Sequence, residues 1–271
     1  MNRYTVGVGI REGIMILLAL IFLSPVYVML NLALGGSQTN PLLPVTHLTF
    51  SNFTEAWAEG ALGSAFLTSF IVTAASVVIV VVLASFAAYP LARVTSRLSR
   101  SAFFVIMAGL TIPYFIAMVP FYQTIHQIGL LGSPLSLIIL YSGHQFPLSV
   151  FLYTTFLRGL PIEYEEAAAL DGCSSFQVFT KVVFPLLRPV TATVVVLNVI
   201  AIWNDFLIPL LFLGTGTSRT LPVAIYEFVG DYTAQWPLIF AGVTISILPL
   251  LIVYFVLQKR VMTGFGSGIK G

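Results

Sequence analysis

Between Arg158 and Pro189 the chain gathers Glu163, Glu165, Glu166, Asp171, Gly172 and Lys181 into one polar island, with long apolar runs on either side. Their types and spacing favour a docking surface over a catalytic centre. Pro161 can open a helix at its first turn, and three glutamates then place negative charge near the positive end of the helix dipole. Ala167 to Ala169 continue with good helix formers, and Gly172 falls where a left-handed residue commonly ends a helix. Ser174 or Ser175 can cap a second helix whose apolar positions Phe176, Phe179, Val183 and Leu187 have helical spacing, before Pro185 and Pro189 kink the approach to the next apolar run. The spacing predicts a helix, a turn and a helix lying at a membrane surface. Such a device can touch a soluble partner, and an amphipathic interfacial hairpin without a partner is the alternative reading.

The elements that must position this island are membrane spans. Of 271 residues, 58% are hydrophobic and only 8% are charged, against about a quarter charged in ordinary soluble domains. Apolar runs of about 20 residues, enough to cross the hydrocarbon core, recur along the whole chain. They predict one polytopic, all-α membrane domain over residues 1–271, with spans at Ile14–Leu34, Ser64–Leu91, Ala102–Ile125, Pro134–Leu157, Val190–Leu213 and Pro237–Leu257. The first reads as an uncleaved helix, because no A-x-A-like site follows it promptly. Eleven of the twelve Lys and Arg residues fall before span one, in alternate loops or after span six, while the intervening loops hold only Arg219. The positive-inside rule then puts both termini and the island in the cytoplasm.

Several chemistries are unsupported by the residues. A net charge of +2 with no basic patch interleaved with aromatics gives no footing for nucleic acid. Cys173 is the only cysteine, and His47, His126 and His144 have no zinc-like spacing. No G-x-x-x-x-G-K-[ST] phosphate loop is present, so the chain is expected to bind no nucleotide itself.

The run from Glu166 to Pro185 resembles the EAA loop of permease subunits of bacterial ATP-binding cassette importers. The matching positions are Glu166, Ala167, Ala168, Gly172, Val182, Phe184 and Pro185, with Val182 where Ile is usual and Phe184 where Leu is usual. Asp171 before the glycine and a second proline at Pro189 resemble the carbohydrate-uptake branch, specifically the shorter, maltose-type permease. WNDFLIPLLFL in span five and a tail ending in Gly, Ile, Lys, Gly extend the likeness to essentially the whole chain.

The resemblance implies a type I importer permease in a bacterial inner membrane, carrying a di- or oligosaccharide. Glycerol-3-phosphate, a polyol or an amino sugar remain open as cargo. It implies a second, different permease subunit, two ATPase subunits that hold ATP and Mg2+, and an extracytoplasmic solute-binding protein. Coupling to the ATPases falls to Glu163, Glu166, Ala167, Ala168, Asp171, Gly172 and Pro185. For Glu163 and Glu165 a solvated helix face is the competing reading. The tail, Lys259 to Gly271, can also reach the ATPase interface or be a frayed terminus. The loops Gly35–Gly63 and Gly214–Trp236, the latter with Arg219, Glu227 and Asp231, are the surfaces implied for the binding protein, or else ordinary solvated loops.

Polar groups at membrane depth are costly toward lipid and are therefore candidates for a solute pathway. Ser142, His144 and Gln145 lie about ten residues from the outer end of span four, near mid-membrane at ~1.5 Å rise per residue. They can hydrogen-bond sugar hydroxyls, or His144 can make a buried contact with another helix. Trp203 can stack on a pyranose face, and Asn204 and Asp205 either join the pathway or satisfy backbone groups at a helix break near Pro209. Two other classes compete. An ion-coupled secondary transporter would want more intramembrane carboxylates than Asp205 and would fail when the ion gradient collapses. A membrane enzyme would want a nucleophile and base on facing helices and would turn over as the isolated chain.

Overall fold

A computed structural model of the chain describes residues 6–36, 40–45, 47–214, 216–230 and 234–267, with side chains described only up to residue 258 in the last stretch. Helices dominate, and one antiparallel bridge pairs Val229 with Ala234. The chain divides into two compact units, residues 1–63 with 224–248, and residues 64–223 with 249–271.

In the first unit, α1 (Val6–Leu34) shows apolar side chains such as Met15, Leu20 and Phe22 around its circumference, as a helix facing lipid does. Two asparagines fasten the segment that follows. Asn31 Nδ2 donates to the carbonyls of Asn40, Pro41 and Leu43 at 2.7–3.1 Å, and Asn52 Nδ2, from α2 (Ser51–Glu59), donates to those of Ala33 and Gly35. Asn52 thereby satisfies carbonyls left open where α1 stops, while Asn31 ties down the loop beyond it. With the start of α13 (Trp236–Ser267), Asn52 borders a cavity of about 910 Å3.

The second unit is built on α3 (Leu62–Arg93) and α6 (Pro134–Arg158), long helices continuous enough to span a membrane. Among the described residues four helices meet that length, α1, α3, α6 and α13, and two bent pairs raise the total to six. The third expected span is one such pair. Helix α4 (Arg97–Thr111) and helix α5 (Tyr114–Gln127) meet at 97°, because Pro113 pushes Ile112 to an extended ψ of 119° and ends the first helix.

The polar island folds as a helix, turn and helix. Helix α7 (Glu163–Leu170) stops at Gly172, whose φ of +83° is the left-handed turn expected there. Ser174 then caps α8 (Ser175–Val178) with a full capping box, its hydroxyl accepting from Gln177 N while Gln177 Oε1 accepts from Ser174 N. The second helix does not end in the loop. It widens into a π turn at Phe179–Val183, passes through α9 (Phe184–Leu186), and bends by 72° into α10 (Arg188–Trp203). Pro185 cannot donate a backbone hydrogen bond, and the wider turn just before it accommodates the interruption.

The expected span five is likewise divided. Helix α10 ends at Trp203, three residues intervene, and α11 (Leu207–Leu213) resumes with Pro209 in its first turn, where a missing N–H costs little. A short α12 (Leu221–Tyr226) closes the sequence of elements before α13.

Candidate functional site

Helix α7 has two faces of different chemistry. Outward, Glu163, Glu166, Ala167, Leu170, Asp171 and Gly172 are exposed, with Leu170 at 89%. Leu170 thus stands in solvent beside the carboxylates of Glu166 and Asp171 and the small side chain of Ala167. Inward, Ala168 joins a buried cluster with Ala88, Leu91, Val178, Phe179, Val183 and Leu187. Phe179 stacks on Phe86 at 4.4 Å and lies 5.4 Å from Tyr89, so an aromatic wedge fastens the π turn to α3. Ala168 therefore serves the inner face and Ala167 the outer one.

Glu165 departs from the solvated-face expectation. Its Oε1 accepts from Arg93 Nε at 2.8 Å and pairs with Arg93 Nη2 at 2.7 Å, while its Oε2 accepts from Tyr89 Oη at 2.8 Å. The two charged side chains are only 16% and 11% exposed. Adjacent residues on a helix point about 100° apart, so Glu165 can turn inward while Glu166 and Glu163 stay in solvent. The sequence signal for this was Tyr89 and Arg93 themselves, four residues apart on one face at the end of a span.

Gly172 has open space where a Cβ would sit, so its need is conformational rather than steric. Pro185 is partly buried at the start of α9, downstream of the π turn, where it shapes the route from α7 into α10.

A second polar locus lies at the break between α10 and α11. Tyr141 Oη donates to Asp205 Oδ2 at 3.0 Å, and Asp205 Oδ1 accepts from Ile208 N at 3.4 Å. Asn204 Nδ2 donates to Ile200 O at 2.8 Å. Both residues thus satisfy backbone groups where the helical ladder is interrupted, one of the two roles foreseen for them. His144 stands edge-on to Tyr114, ring centroids 4.2 Å apart. His144, Gln145 and Asp205 border one cavity of about 160 Å3, together with Tyr114, Phe115, Tyr141 and Ile208. The hydroxyls of Tyr114 and Ser142 are buried without a hydrogen-bond partner among the described residues. Trp203 does not share that cavity; it is 4% exposed and meets Phe66 edge-on at 5.6 Å. Tyr114 and Tyr141 had not been singled out from sequence, although two tyrosines within spans carry hydroxyls that need partners.

Among the described residues no group of three or more His, Cys, Asp and Glu side chains is placed to hold a metal ion. Asp231 and residues 268–271 of the tail lie outside the described residues, as do the tail's side chains from Lys259 onward.

A polytopic helical chain with bent spans and a structured polar loop before its fifth span has the architecture of an importer permease. Residues 80–264 match the family described as binding-protein-dependent transport system inner membrane component, and the chain belongs to that family. It is 34% identical over 251 residues to the melibiose/raffinose/stachyose import permease protein MelC of Bacillus subtilis (strain 168), covering 91% of each chain. It is 36% identical over 256 residues to the probable starch degradation products transport system permease protein AmyC of Thermoanaerobacterium thermosulfurigenes, covering 93% of each. In fold it is similar to a chain of a bacterial ABC transporter involved in the import of the acidic polysaccharide alginate, with a TM-score of 0.81 at 21% identity over 96% of this chain and 100% of that one. This is accordingly a multi-pass inner-membrane permease subunit with the type I importer fold, and ATP hydrolysis belongs to separate ATPase subunits.

Proposed function

We propose that the chain is one half of the translocation pathway of an ATP-driven importer for a di- or oligosaccharide. The observation that carries this reading is the outward face of α7, where Glu166, Ala167, Leu170 and Asp171 are exposed on a helix anchored from behind. A second, different permease subunit completes the pathway, two ATPase subunits receive the α7 face, and an extracytoplasmic binding protein delivers the solute. The whole chain then acts as one transmembrane domain with both termini and the α7 loop in the cytoplasm. Support for a sugar comes from relatives named for melibiose, raffinose and stachyose and for starch degradation products. ATP draws the ATPase subunits together, α7 moves with its docking cleft, and the spans open outward; hydrolysis resets them.

Glu166 and Asp171 offer acceptors to basic groups of the ATPase, Ala167 permits close backbone approach, and Glu163 adds negative charge at the helix start. Ala168 and Pro185 act from behind, holding α7 and steering its motion into α10. His144, Gln145 and Asp205 border the small cavity past which sugar hydroxyls move, and Tyr114 supplies a further hydroxyl at its wall. The identity of sugars retained by the co-purified binding protein tests the cargo: a di- or oligosaccharide is expected, and an amino acid or metal chelate would overturn it.

A further inference from the structure

We propose that Glu165, Arg93 and Tyr89 form a strut that carries displacement of α7 directly into the end of α3, and that it sets how many solute molecules cross per ATP hydrolysed. The proposal rests on the docking role given above to the outer face of α7. These three are positioning residues, because none belongs to the exposed docking face.

The geometry is that of a stiff joint. Both oxygens of Glu165 are occupied by α3: Oε1 by Arg93 Nε and Nη2 at 2.8 and 2.7 Å, Oε2 by Tyr89 Oη at 2.8 Å. Arg93 Nη2 also donates to Leu160 O at 3.2 Å, in the short link between α6 and α7. One guanidinium thus ties the last turn of α3 to the connection entering α7. Both Arg93 nitrogens converge on Oε1 while Tyr89 holds Oε2, so the carboxylate is fixed at each oxygen, and hydrogen bonds to an ionised group are the stronger kind. Low exposure of both partners keeps water and salt from loosening the pair, unlike an ion pair on an open surface.

Pro90 lies between the two donors on α3. A proline within a helix removes one backbone hydrogen bond and weakens the turn around it. The missing bond is to Phe86, one turn back, so Tyr89 lies within the weakened turn and Arg93 just beyond it, and Glu165 holds both. Displacement of α7 is then delivered to α3 at the turn where that helix can bend. The forward route from α7 to α10 is softer, since it runs through the left-handed Gly172 and a π turn. Contact through Ala168 is a methyl group against apolar neighbours, which holds α7 close without the directionality of a hydrogen bond. The strut is the directional connection.

The test uses the complete importer, reconstituted in liposomes with its ATPases, partner permease and binding protein. Solute released from the co-purified binding protein serves as the transported probe, and import is counted per ATP hydrolysed. Glu165→Gln is expected to preserve assembly and basal ATP hydrolysis while lowering the import ratio about tenfold, within the range of typical coupling between sites. Tyr89→Phe, which keeps the ring and deletes one hydrogen bond, serves if Glu165→Gln fails to assemble and is expected to lower the ratio about threefold. An unchanged ratio in an assembled Glu165→Gln or Tyr89→Phe complex overturns the strut. Glu166→Lys separates the two ideas: if it uncouples while Glu165→Gln does not, only the strut fails, and if both import normally the docking role fails as well.

Discussion

Glu166→Lys is expected to leave the isolated subunit as stable as the parent, within about 0.5 kcal/mol, because Glu166 is exposed on α7 and away from the buried cluster. In the assembled importer the same change puts a cation where the ATPase is expected to offer one, and uptake should fall about tenfold or more. Comparing the thermal midpoint of the purified subunit with uptake by the complex separates the two effects. Gly172 behaves differently. At φ +83° an alanine costs about 1–2 kcal/mol in backbone conformation even though open space surrounds it, while asparagine, which tolerates the left-handed region, should cost less. The order Gly, Asn, Ala in loop stability, read by protease protection of α7, would check that; alanine equal to glycine would contradict it. Glu165 was harder to read from the chain. Its partner Arg93 stands 72 residues earlier, and nothing local to the EEAA run distinguishes an inward carboxylate from an outward one.

Helix boundaries divide into those governed by local chemistry and those governed by packing. The end of α7 at Gly172 and the capping box at Ser174 were legible because caps and turns depend on residues within reach of one another. The break near Pro209 was legible too, from Asn204 and Asp205 ahead of the proline, although the structure sets it at residues 204–206 with Pro209 inside the next helix. The 97° bend at Pro113 was not, since apolar length says how far a segment can reach and nothing of its direction. Asp205 holds the break after Trp203 together, and this yields a graded expectation. Asp205→Asn keeps one acceptor, Oδ1, for Ile208 N and can turn its Nδ2 to donate to the Tyr141 hydroxyl oxygen, and should retain the fold. Asp205→Ala leaves the Tyr141 hydroxyl unpartnered and should cost about 1–3 kcal/mol. Thermal unfolding in detergent would measure the difference; equal midpoints for the two variants would remove Asp205 from its capping role. If Asn also preserves stability but uptake drops, the carboxylate has a part in the solute pathway beyond the break.

The proposed orientation across the bilayer rests on arginines and lysines, eleven of twelve in the terminal segments and alternate loops, and it can be checked with the chain's single cysteine. Cys173 is partly exposed in the turn after Gly172. A membrane-impermeant maleimide should label it in inside-out vesicles stripped of ATPase subunits and leave it untouched in intact spheroplasts; labelling from the outside would invert the assignment. The family placement makes the chain a permease subunit that depends on separate ATPases, and the proposed working parts are a docking face on α7 and a route for its motion into the spans. The most direct test of that account is solute import per ATP hydrolysed by a reconstituted importer carrying Gly172→Pro. The account predicts a membrane-inserted, assembled complex that still hydrolyses ATP but imports little. Normal uptake by a stably inserted Gly172→Pro complex would contradict it.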